Sequence, residues 1–338
     1  MTGKGKFVRI VDNTMRDGSH AVKHQFTVED VTAIASALDD AGVPAIEISH
    51  GDGLAGHSFQ YGYARETDEA KINAVKKAAK RAKVSVLLLP GIGTRKDLQK
   101  AVECGAQIVR IATHCTEADI SEQHIKMSKD MGMEVFGLLM MSHMEPPAKL
   151  LEQAKLFESY GADAVYLMDS AGALIPDTVR ARVSALKNGL KIQVAFHAHN
   201  NLGLGIGNTL AAVDEGATIV DACVCGLGGG AGNAQEEVLV AALDRAGYQT
   251  GIDLLKIMDA AEDVVTPRML RPQIIDKAAL ALGYSGVYSS FLLHTYRAAE
   301  RFKVPPMDIL LELGKMRTVG GQEDLIVDVA YKLAQKKA

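Results

Sequence analysis

Residues 191–224, KIQVAFHAHNNLGLGIGNTLAAVDEGATIVDACV, contain one complete strand–helix–strand unit. The apolar run Ile192–His197 predicts a strand, Gly205–Glu215 has the period of an amphipathic helix, and Thr218–Val224 predicts a second strand. Gly216 stands between the helix and the second strand, where a helix C-cap is expected. Two strands joined by a helix form the repeating unit of parallel α/β proteins.

The same alternation extends from residue 7 to about residue 246. The other strand-like runs are Phe7–Asp12, Pro44–Ser49, Val84–Leu89, Gln107–Ala112, Glu134–Met140 and Ala164–Asp169. The other helical segments are Thr27–Ala41, Glu69–Ala82, Lys96–Glu103, Glu117–Met131, Pro147–Tyr160, Asp177–Lys187 and Gln235–Ala246. Eight units over roughly 240 residues match a (β/α)8 TIM barrel better than an open doubly wound sheet. No Gly-x-Gly-x-x-Gly motif follows the first run, so a dinucleotide-binding fold is disfavoured.

After about residue 250 the alternation stops, and the remaining chain has only helical periodicity. The helices that we expect there are Ile252–Val265, Gln273–Leu282, Ser290–Phe302, Pro306–Lys315 and Gln322–Leu333. We therefore predict an α/β protein with a TIM-barrel catalytic domain over residues 7–250 and a C-terminal helical appendage over residues 251–338.

Composition limits the classes of partner. The net charge is -4, from 37 basic and 41 acidic residues, which gives no electrostatic footprint for nucleic acid or an acidic membrane. The four cysteines lack a Cys-x-x-Cys pair, and neither a leader segment nor a long apolar span is apparent. We expect a cytoplasmic protein whose partner is a small molecule or another protein.

His197 and His199 stand one residue apart at the end of the seventh predicted strand. Side chains at positions i and i+2 of a strand project to one face, so two imidazoles there can approach one ion. Asp17, after the first strand, is the expected third ligand, because active-site residues of a TIM barrel lie at the carboxyl ends of its strands. This ligand set suits Mn²⁺, Co²⁺, Fe²⁺ or Zn²⁺. Core hydrogen bonding by the two histidines is the alternative interpretation.

Several neighbours of these residues are candidates for substrate contacts. Arg16 would stabilise an enolate or a carboxylate, unless it only pairs with Asp17 in a solvated turn. His20 has a reference pKa suited to a general base, although a lone loop histidine more often has no such role. Leu87 and Leu89 at the end of strand 3 would form an apolar wall or belong to the ordinary core.

Two further loops carry weaker signals. Ser170, at the end of strand 6, would hydrogen-bond a substrate carboxylate or serve as a turn residue. The glycine-rich run Gly226–Asn233 resembles a phosphate cradle, or allows the backbone to pass close to strand 1. Within this run Asn233 is expected either to cap the eighth helix or, alternatively, to be an outer ligand of the metal.

These motifs resemble those of a known superfamily. The runs Asn13–Gly18, His197–Gly203 and Gly226–Asn233 are similar to those of the metal-dependent aldolases and condensing enzymes that include HMG-CoA lyase and isopropylmalate synthase. Within it, five runs resemble the family of 4-hydroxy-2-oxovalerate aldolases: Asp17–His20, Gly51–Leu54, Ile111–Asp119, Asp169–Ala173 and Gly283–Phe291. The resemblance extends over nearly the whole chain.

The resemblance implies a class II pyruvate aldolase of the meta-cleavage catabolism of aromatic compounds. Asp17, His197 and His199 would bind Mn²⁺, with Co²⁺ or Mg²⁺ as alternatives, and the ion would chelate a 4-hydroxy-2-oxo acid. Tyr288 would position His20, which takes the C4 hydroxyl proton, so that cleavage yields pyruvate and a short aldehyde such as acetaldehyde.

The remaining implied roles concern the ends of the substrate and the partner. Arg16 would stabilise the pyruvate enolate, Ser170 would contact the carboxylate, and Leu87 with Leu89 would shape the aldehyde pocket; His197 would also touch the substrate. The family further implies an acylating acetaldehyde dehydrogenase that contacts the helical appendage and receives the aldehyde through a channel. The rival functions are an acetyl-CoA-dependent condensing enzyme or HMG-CoA lyase-like enzyme, a barrel metal hydrolase, and a non-catalytic scaffold.

Overall fold

The computed structural model describes residues 5–336. Eight parallel strands form a closed barrel in sequence order, and the first strand pairs with the eighth. The strands are β1 (Arg9–Met15), β2 (Ala45–Ile48), β3 (Lys83–Leu88), β4 (Ile108–His114), β5 (Glu134–Met140), β6 (Ala164–Asp169), β7 (Gln193–Ala198) and β8 (Ile219–Ala222). The TIM-barrel prediction is therefore confirmed.

Eight helices alternate with the strands and cover the barrel. They are α1 (Val28–Ala41), α2 (Asp68–Ala78), α3 (Arg95–Glu103), α4 (Glu122–Asp130), α5 (Pro147–Tyr160), α6 (Pro176–Gly189), α7 (Gly205–Asp214) and α8 (Glu236–Ala246). Because helices cover the outside while side chains fill the inside, the strands are buried on both faces, and most of their residues are apolar.

Helix α1 shows how local sequence sets the ends of these helices. Thr27 and Asp30 form a capping box, in which each side chain accepts a hydrogen bond from the other residue's backbone N–H. At the other end, Gly42 adopts φ 93°, a left-handed conformation that glycine accepts without steric cost. The helix therefore ends at Ala41, and β2 begins at Ala45.

Helices continue after the barrel: α9 (Leu254–Asp259), α10 (Lys277–Ser285), α11 (Phe291–Phe302), α12 (Pro306–Met316) and α13 (Asp324–Gln335). Helix α9 and the π-helical turn Ala260–Val265 share the hydrophobic core of the barrel, whereas residues from α10 to α13 form a second core of their own. The domain boundary that the sequence predicts, between residues 250 and 251, stays a prediction.

Strands β1 and β8 differ from their predicted limits. Strand β1 begins at Arg9 and continues to Met15, beyond the predicted end at Asp12, because the polar side chains of this stretch bond to buried partners. Strand β8 ends at Ala222 because Cys225 adopts φ 55° within a turn, which ends the extended backbone. Among residues 5–336, none of the helices combines the length and the apolar character needed to cross a membrane.

Candidate active site

Asp17, His197 and His199 come together at the carboxyl end of the barrel. Asp17 begins a short 3-10 turn that follows β1, His197 is the fifth residue of β7, and His199 follows the end of that strand. One potential ligand atom from each of the three residues lies within 4.8 Å of the others. Asp17 Oδ2 is 4.0 Å from His197 Nε2 and 3.9 Å from His199 Nε2. The structure thus assembles the three residues that the sequence singled out.

The donor atoms of this group fit a divalent cation. Asp221 Oδ2 lies 2.9 Å from Nδ1 of His197, whereas Nε2 of His197 is buried without a hydrogen-bond partner. A nitrogen that is fixed in direction by a carboxylate on the opposite side of its ring is the usual arrangement of a metal-binding histidine. Unpaired buried polar atoms are rare, so this one indicates a ligand that satisfies it.

Electrostatics also favours metal-binding protonation states. Burial opposes ionisation of Asp17, but the positive charge of Arg16 and the nearby histidines hold its pKa well below the usual range. Burial lowers the pKa of His199 to about 4, although Asp17 acts in the opposite direction. A carboxylate and a neutral imidazole are the forms that donate electron pairs to a cation.

Arg16 lies beside this group and is nearly inaccessible to solvent, at 4% exposed. Its Nη1 donates to Asp17 Oδ2 at 2.8 Å, and its Nε donates to Glu47 Oε2 at 2.7 Å. Its Nη2 is buried and has no hydrogen-bond partner. The solvated-turn interpretation of Arg16 and Asp17 is therefore wrong, because the pair is buried and one guanidinium nitrogen stays available to an anionic ligand.

His20 ends the same 3-10 turn and is half-buried. It lines a cavity of about 400 Å³ that extends between the barrel and the C-terminal helices. The ring of His24 meets His20 edge-on at 4.9 Å between centroids. His20, His24 and Asp52 form a second group with metal-ligand spacing, but His24 Nδ1 is already 3.0 Å from Ser19 Oγ. The deeper group that contains Asp17 is therefore the stronger candidate for a cation site.

A second cavity, of about 310 Å³, opens over β3, β4 and β5 and adjoins the first at Asp52. Leu89 and Met140 form part of its apolar wall, and Tyr288 reaches it from the segment between α10 and α11. Leu87 is buried deeper, in the interior layer of the barrel. Among the described residues, Tyr288 forms no hydrogen bond with His20, so the two meet only as walls of adjoining cavities.

Ser170 is buried directly after β6. Its Oγ accepts a hydrogen bond from the backbone N–H of Met141 at 3.1 Å, and its carbonyl oxygen accepts from the hydroxyl of Ser289 at 2.8 Å. The hydroxyl proton of Ser170 is free to point toward a ligand. Its position is thus consistent with the predicted carboxylate contact.

Asn233 does not cap the eighth helix, because Gln235 holds the N-cap position of α8. The side-chain amide of Asn233 instead donates to Asp17 Oδ1 at 2.9 Å and to the carbonyl oxygen of Leu227 at 2.8 Å. Its Oδ1 is buried without a partner. The capping prediction was therefore wrong, since a contact across the barrel mouth takes the side chain away from the helix.

Three buried charged residues lie beneath the site and were not predicted from the sequence: Glu47, Arg110 and Asp221. Each lies within a strand and bonds directly or indirectly to Arg16 or His197. Their positions in the sequence could have indicated such a role, because each is a charged residue within a buried strand, where an unpaired charge is costly.

The fold and the site define a class: a TIM-barrel enzyme with a candidate divalent-metal site, formed by residues at the carboxyl ends of β1 and β7. Comparisons with known proteins agree, since the HMGL-like family model matches residues 7–264 and the DmpG-like communication domain matches residues 273–335. The 4-hydroxy-2-oxovalerate aldolase of Carboxydothermus hydrogenoformans is 63% identical over 330 residues, 98% of each chain. That of Moorella thermoacetica is 62% identical over 330 residues, also 98% of each chain. The chain belongs to the HMGL-like family and, within it, to the 4-hydroxy-2-oxovalerate aldolases, which are lyases.

Solved structures support the fold at lower sequence identity. The carboxyl transferase domain of Rhizobium etli pyruvate carboxylase, solved with oxamate and biotin, superposes with a TM-score of 0.83 at 16% identity. That match covers 98% of this chain and 61% of the other. The N-terminal domain of a putative aldolase from Bacteroides vulgatus gives a TM-score of 0.72 at 23% identity, covering 83% of this chain and 94% of the other.

Proposed function

We propose that this protein cleaves 4-hydroxy-2-oxovalerate, and related 4-hydroxy-2-oxo acids, to pyruvate and a short aldehyde such as acetaldehyde. The observation that carries the proposal is the group formed by Asp17, His197 and His199 with Arg16 in contact and His20 on the same turn. The names of the relatives support it, as do the apolar walls of the adjoining cavity.

Cleavage breaks the C3–C4 bond, so its electron pair must be stabilised on the 2-oxo group. A barrel aldolase can use either a lysine iminium or a metal for this purpose. None of the eight described strands ends in a lysine, and the buried ligand group is the alternative that this chain offers. A divalent cation, which we propose to be Mn²⁺ with Co²⁺ or Mg²⁺ as alternatives, supplies positive charge to the carboxylate and keto oxygens when bound.

Residues of the chain transfer the proton and stabilise the enolate. His20 accepts the proton of the C4 hydroxyl, the C4–O bond becomes the aldehyde carbonyl, and the bonding electrons of C3–C4 pass to the 2-oxo group. The unpaired Nη2 of Arg16 is suited to bind the enolate oxygen. The proton that His20 accepted returns at C3 of the enolate, directly or by exchange through water, which completes pyruvate and restores neutral His20.

The other side chains position the two ends of the substrate. Ser170 donates its hydroxyl to the carboxylate, and Leu89, with Leu87 beneath it, accommodates the aldehyde. Tyr288 closes the cavity from the helical appendage and orients His20 once substrate is bound. Burial, together with the charges of Asp52 and Asp17, raises the pKa of Tyr288, so its hydroxyl remains protonated and available as a donor.

The helical appendage contacts a partner in this proposal. The DmpG-like communication domain match over residues 273–335 supports an acylating acetaldehyde dehydrogenase, which would take up the aldehyde in the breakdown of aromatic compounds. The appendage exposes large apolar side chains that such a partner would cover, among them Leu280, Tyr284, Met316, Val327 and Tyr331. Co-purification of the two proteins tests this contact, and migration as separate proteins at micromolar concentration would contradict it.

The activity is tested by incubating the protein with Mn²⁺ and 4-hydroxy-2-oxovalerate and coupling the release of pyruvate to lactate dehydrogenase. We expect His20→Ala to retain Mn²⁺ but to reduce kcat by about 100-fold or more, because the proton acceptor is lost. Asp17→Ala should lose both Mn²⁺ and cleavage. His124→Ala, on the remote helix α4, is the matched control and should behave as wild type.

Two results would contradict the proposal. Full activity after chelation and gel filtration would show that cleavage needs no metal. Release of free thiol from acetyl-CoA with a 2-oxo acid, without pyruvate release from the 4-hydroxy acid, would favour the condensing-enzyme alternative.

A further inference from the structure

The interior of the barrel contains a cluster of charged side chains. It lies beneath Asp17, His197 and His199, which we call the cation group. Glu47 on β2 and Arg110 on β4 are fully buried, and Asp221 on β8 is 2% exposed. These strands are not neighbours in the barrel, so the three side chains meet across its interior. Burial of charge at this depth is costly unless every charge is paired.

Arg110 joins the two carboxylates. Its Nη1 donates to Glu47 Oε2 at 2.9 Å and to Asn13 Oδ1 at 3.0 Å, and its Nη2 forms a short hydrogen bond with Asp221 Oδ2. Asn13 Nδ2 also donates to Asp221 Oδ2, at 2.8 Å. One planar guanidinium therefore spans two carboxylates that have no direct bond to each other.

Each carboxylate in turn bonds a residue of the active site. Glu47 Oε2 accepts from Arg16 Nε at 2.7 Å, and Asp221 Oδ2 lies 2.9 Å from His197 Nδ1. Arg16 donates to Asp17 Oδ2, which is 4.0 Å from His197 Nε2. The contacts thus form a ring that runs from the cation group through the barrel interior and back.

We propose that Arg110 is a positioning residue for the aldol reaction. Through Asp221 it sets the tautomer and direction of the His197 imidazole, and through Glu47 it sets the angle of the Arg16 guanidinium. A single buried side chain thereby fixes the geometry of the metal ligand relative to the group that binds the enolate. The inferred effect on enolate binding, through Glu47 and Arg16, rests on the proposed function. The inferred effect on metal binding, through Asp221 and His197, does not.

Lysine would not reproduce this arrangement. The guanidinium is a rigid planar fork, whereas an ammonium group is a point charge that cannot span both carboxylates in fixed directions. The ring of Tyr166 also lies 4.5 Å from the guanidinium carbon of Arg110 and supports its plane from one side. Arg110→Lys therefore preserves the buried charge while removing the bridge.

The experiment compares Arg110→Lys with Arg9→Lys in the full chain. Arg9 is the matched control, because it also pairs with a carboxylate, Glu134, and lies 5.6 Å from an aromatic ring, that of Phe136, but it contacts none of the site residues. The readouts are Mn²⁺ affinity by chelator competition, inhibition by oxalate as a planar analogue of the enolate at saturating Mn²⁺, kcat and KM, and the thermal midpoint.

We expect Arg110→Lys to weaken Mn²⁺ binding by about 10-fold or more, as is typical when a partner behind a metal ligand is lost. Oxalate inhibition should weaken as well, and kcat should fall more than KM rises. Arg9→Lys should leave all four catalytic and binding values unchanged. Unchanged Mn²⁺ and oxalate affinities in a folded Arg110→Lys protein would overturn the proposal.

Two isosteric variants test the effects on metal binding and on enolate binding separately. They also test the proposal if Arg110→Lys does not fold. Asp221→Asn should weaken Mn²⁺ binding with little effect on oxalate at saturating metal, and Glu47→Gln should do the reverse. Equal losses of both affinities in both variants would indicate general destabilisation and would count against the ring. Wild-type protein without cleavage activity would refute the proposed function, while the Mn²⁺ comparison would still test Arg110.

Discussion

Gly228 shows how closely the glycine-rich loop approaches the metal ligands. A Cβ atom at this position would lie 2.3 Å from Nδ2 of Asn233 and 3.0 Å from Oδ1 of Asp17. The two side chains can approach each other and bond at 2.9 Å only because residue 228 has no side chain. Gly228 thus allows the loop to lie close to the turn that follows β1, which favours the second of the two roles that the sequence left open.

We predict that Gly228→Ala weakens Mn²⁺ binding by roughly 10–100-fold, the range typical when the support of a ligand is disturbed. The physical reason is that the new methyl group must displace the Asn233 amide, which holds Asp17 in place. Chelator competition measures the effect. Gly207→Ala, on the exposed face of α7 with no atom within 4 Å of its Cβ, is the control and should bind Mn²⁺ as wild type does. Equal affinities in the two variants would contradict this account.

At the scale of single residues, the sequence predicted that Asp17, His197 and His199 come together, but not which residues support them. His197, His199 and Asp17 were identifiable because spacing and the barrel topology suffice to bring them together. The partner roles of Arg110 and Asp221 depend on which interior side chains meet across the barrel, and that follows from strand register rather than from any local pattern.

The segment that carries Tyr288 is tied to the barrel by its neighbour Ser289. The Ser289 hydroxyl donates to the carbonyl oxygen of Ser170 at 2.8 Å and accepts from Nδ2 of Asn201 at 2.9 Å. Asn201 also accepts from the backbone of Ala231 in the glycine-rich loop, at 2.8 Å. These bonds join the ends of β6 and β7 to the appendage, so the position of Tyr288 depends on them.

We predict that Ser289→Ala reduces kcat severalfold and leaves Mn²⁺ affinity unchanged, because it loosens the Tyr288 segment without touching the ligands. Each lost hydrogen bond is worth about 1 kcal/mol in typical cases, enough to shift a segment but not to unfold the chain. The coupled pyruvate assay and chelator competition measure the two quantities.

Ser159→Ala is the control for this element, since that exposed serine loses the hydrogen bond that its hydroxyl donates to the carbonyl oxygen of Leu156, far from the site. It should retain wild-type kcat. A Ser289→Ala protein with unchanged kcat would show that the appendage positions Tyr288 by other contacts.

Prediction of the strand limits succeeded for two strands whose interior residues carry no polar side chain, apart from the hydroxyl of Tyr166. Strands β5 and β6 have the predicted limits, because each apolar run is bounded by turn residues. The end of strand β1 was predicted too early, at Asp12 instead of Met15, since residues such as Thr14 are common in loops. In the fold Asp12 and Thr14 bond to each other, which allows polar side chains to continue a buried strand.

In the molecule as a whole, buried polar atoms without a hydrogen-bond partner occur at the active-site end of the barrel and also elsewhere among the described residues. One such group lies within the barrel wall, where Glu236 in the first turn of α8 is fully buried next to Asp12 on β1. Among the described residues, neither carboxylate oxygen of Glu236 has a donor partner. Burial raises the pKa of Asp12 to about 6, and burial together with the negative charge of Asp12 raises the pKa of Glu236 well above its usual value.

The sign of the resulting pH dependence follows from proton binding. Carboxyl groups with raised pKa values hold more protons in the folded than in the unfolded chain, so their contribution lowers stability as pH rises above the ordinary carboxyl value of about 4. The loss continues until the folded-state pKa of each group is passed. For one proton the slope is about 1.4 kcal/mol per pH unit.

We therefore predict that Glu236→Gln becomes more stable relative to wild type as pH rises from about 5 to 8, because a neutral amide can donate to Asp12 and needs no proton. Denaturation midpoints at saturating Mn²⁺ across this range measure the difference. Glu29→Gln is the control, since Glu29 is likewise in the first turn of a helix, α1, but is exposed, so its difference from wild type should stay constant with pH. If the difference in denaturation midpoint between Glu236→Gln and wild type also stays constant with pH, Asp12 and Glu236 do not hold an extra proton in the folded chain. The stability of the barrel would then not depend on protonation of this pair.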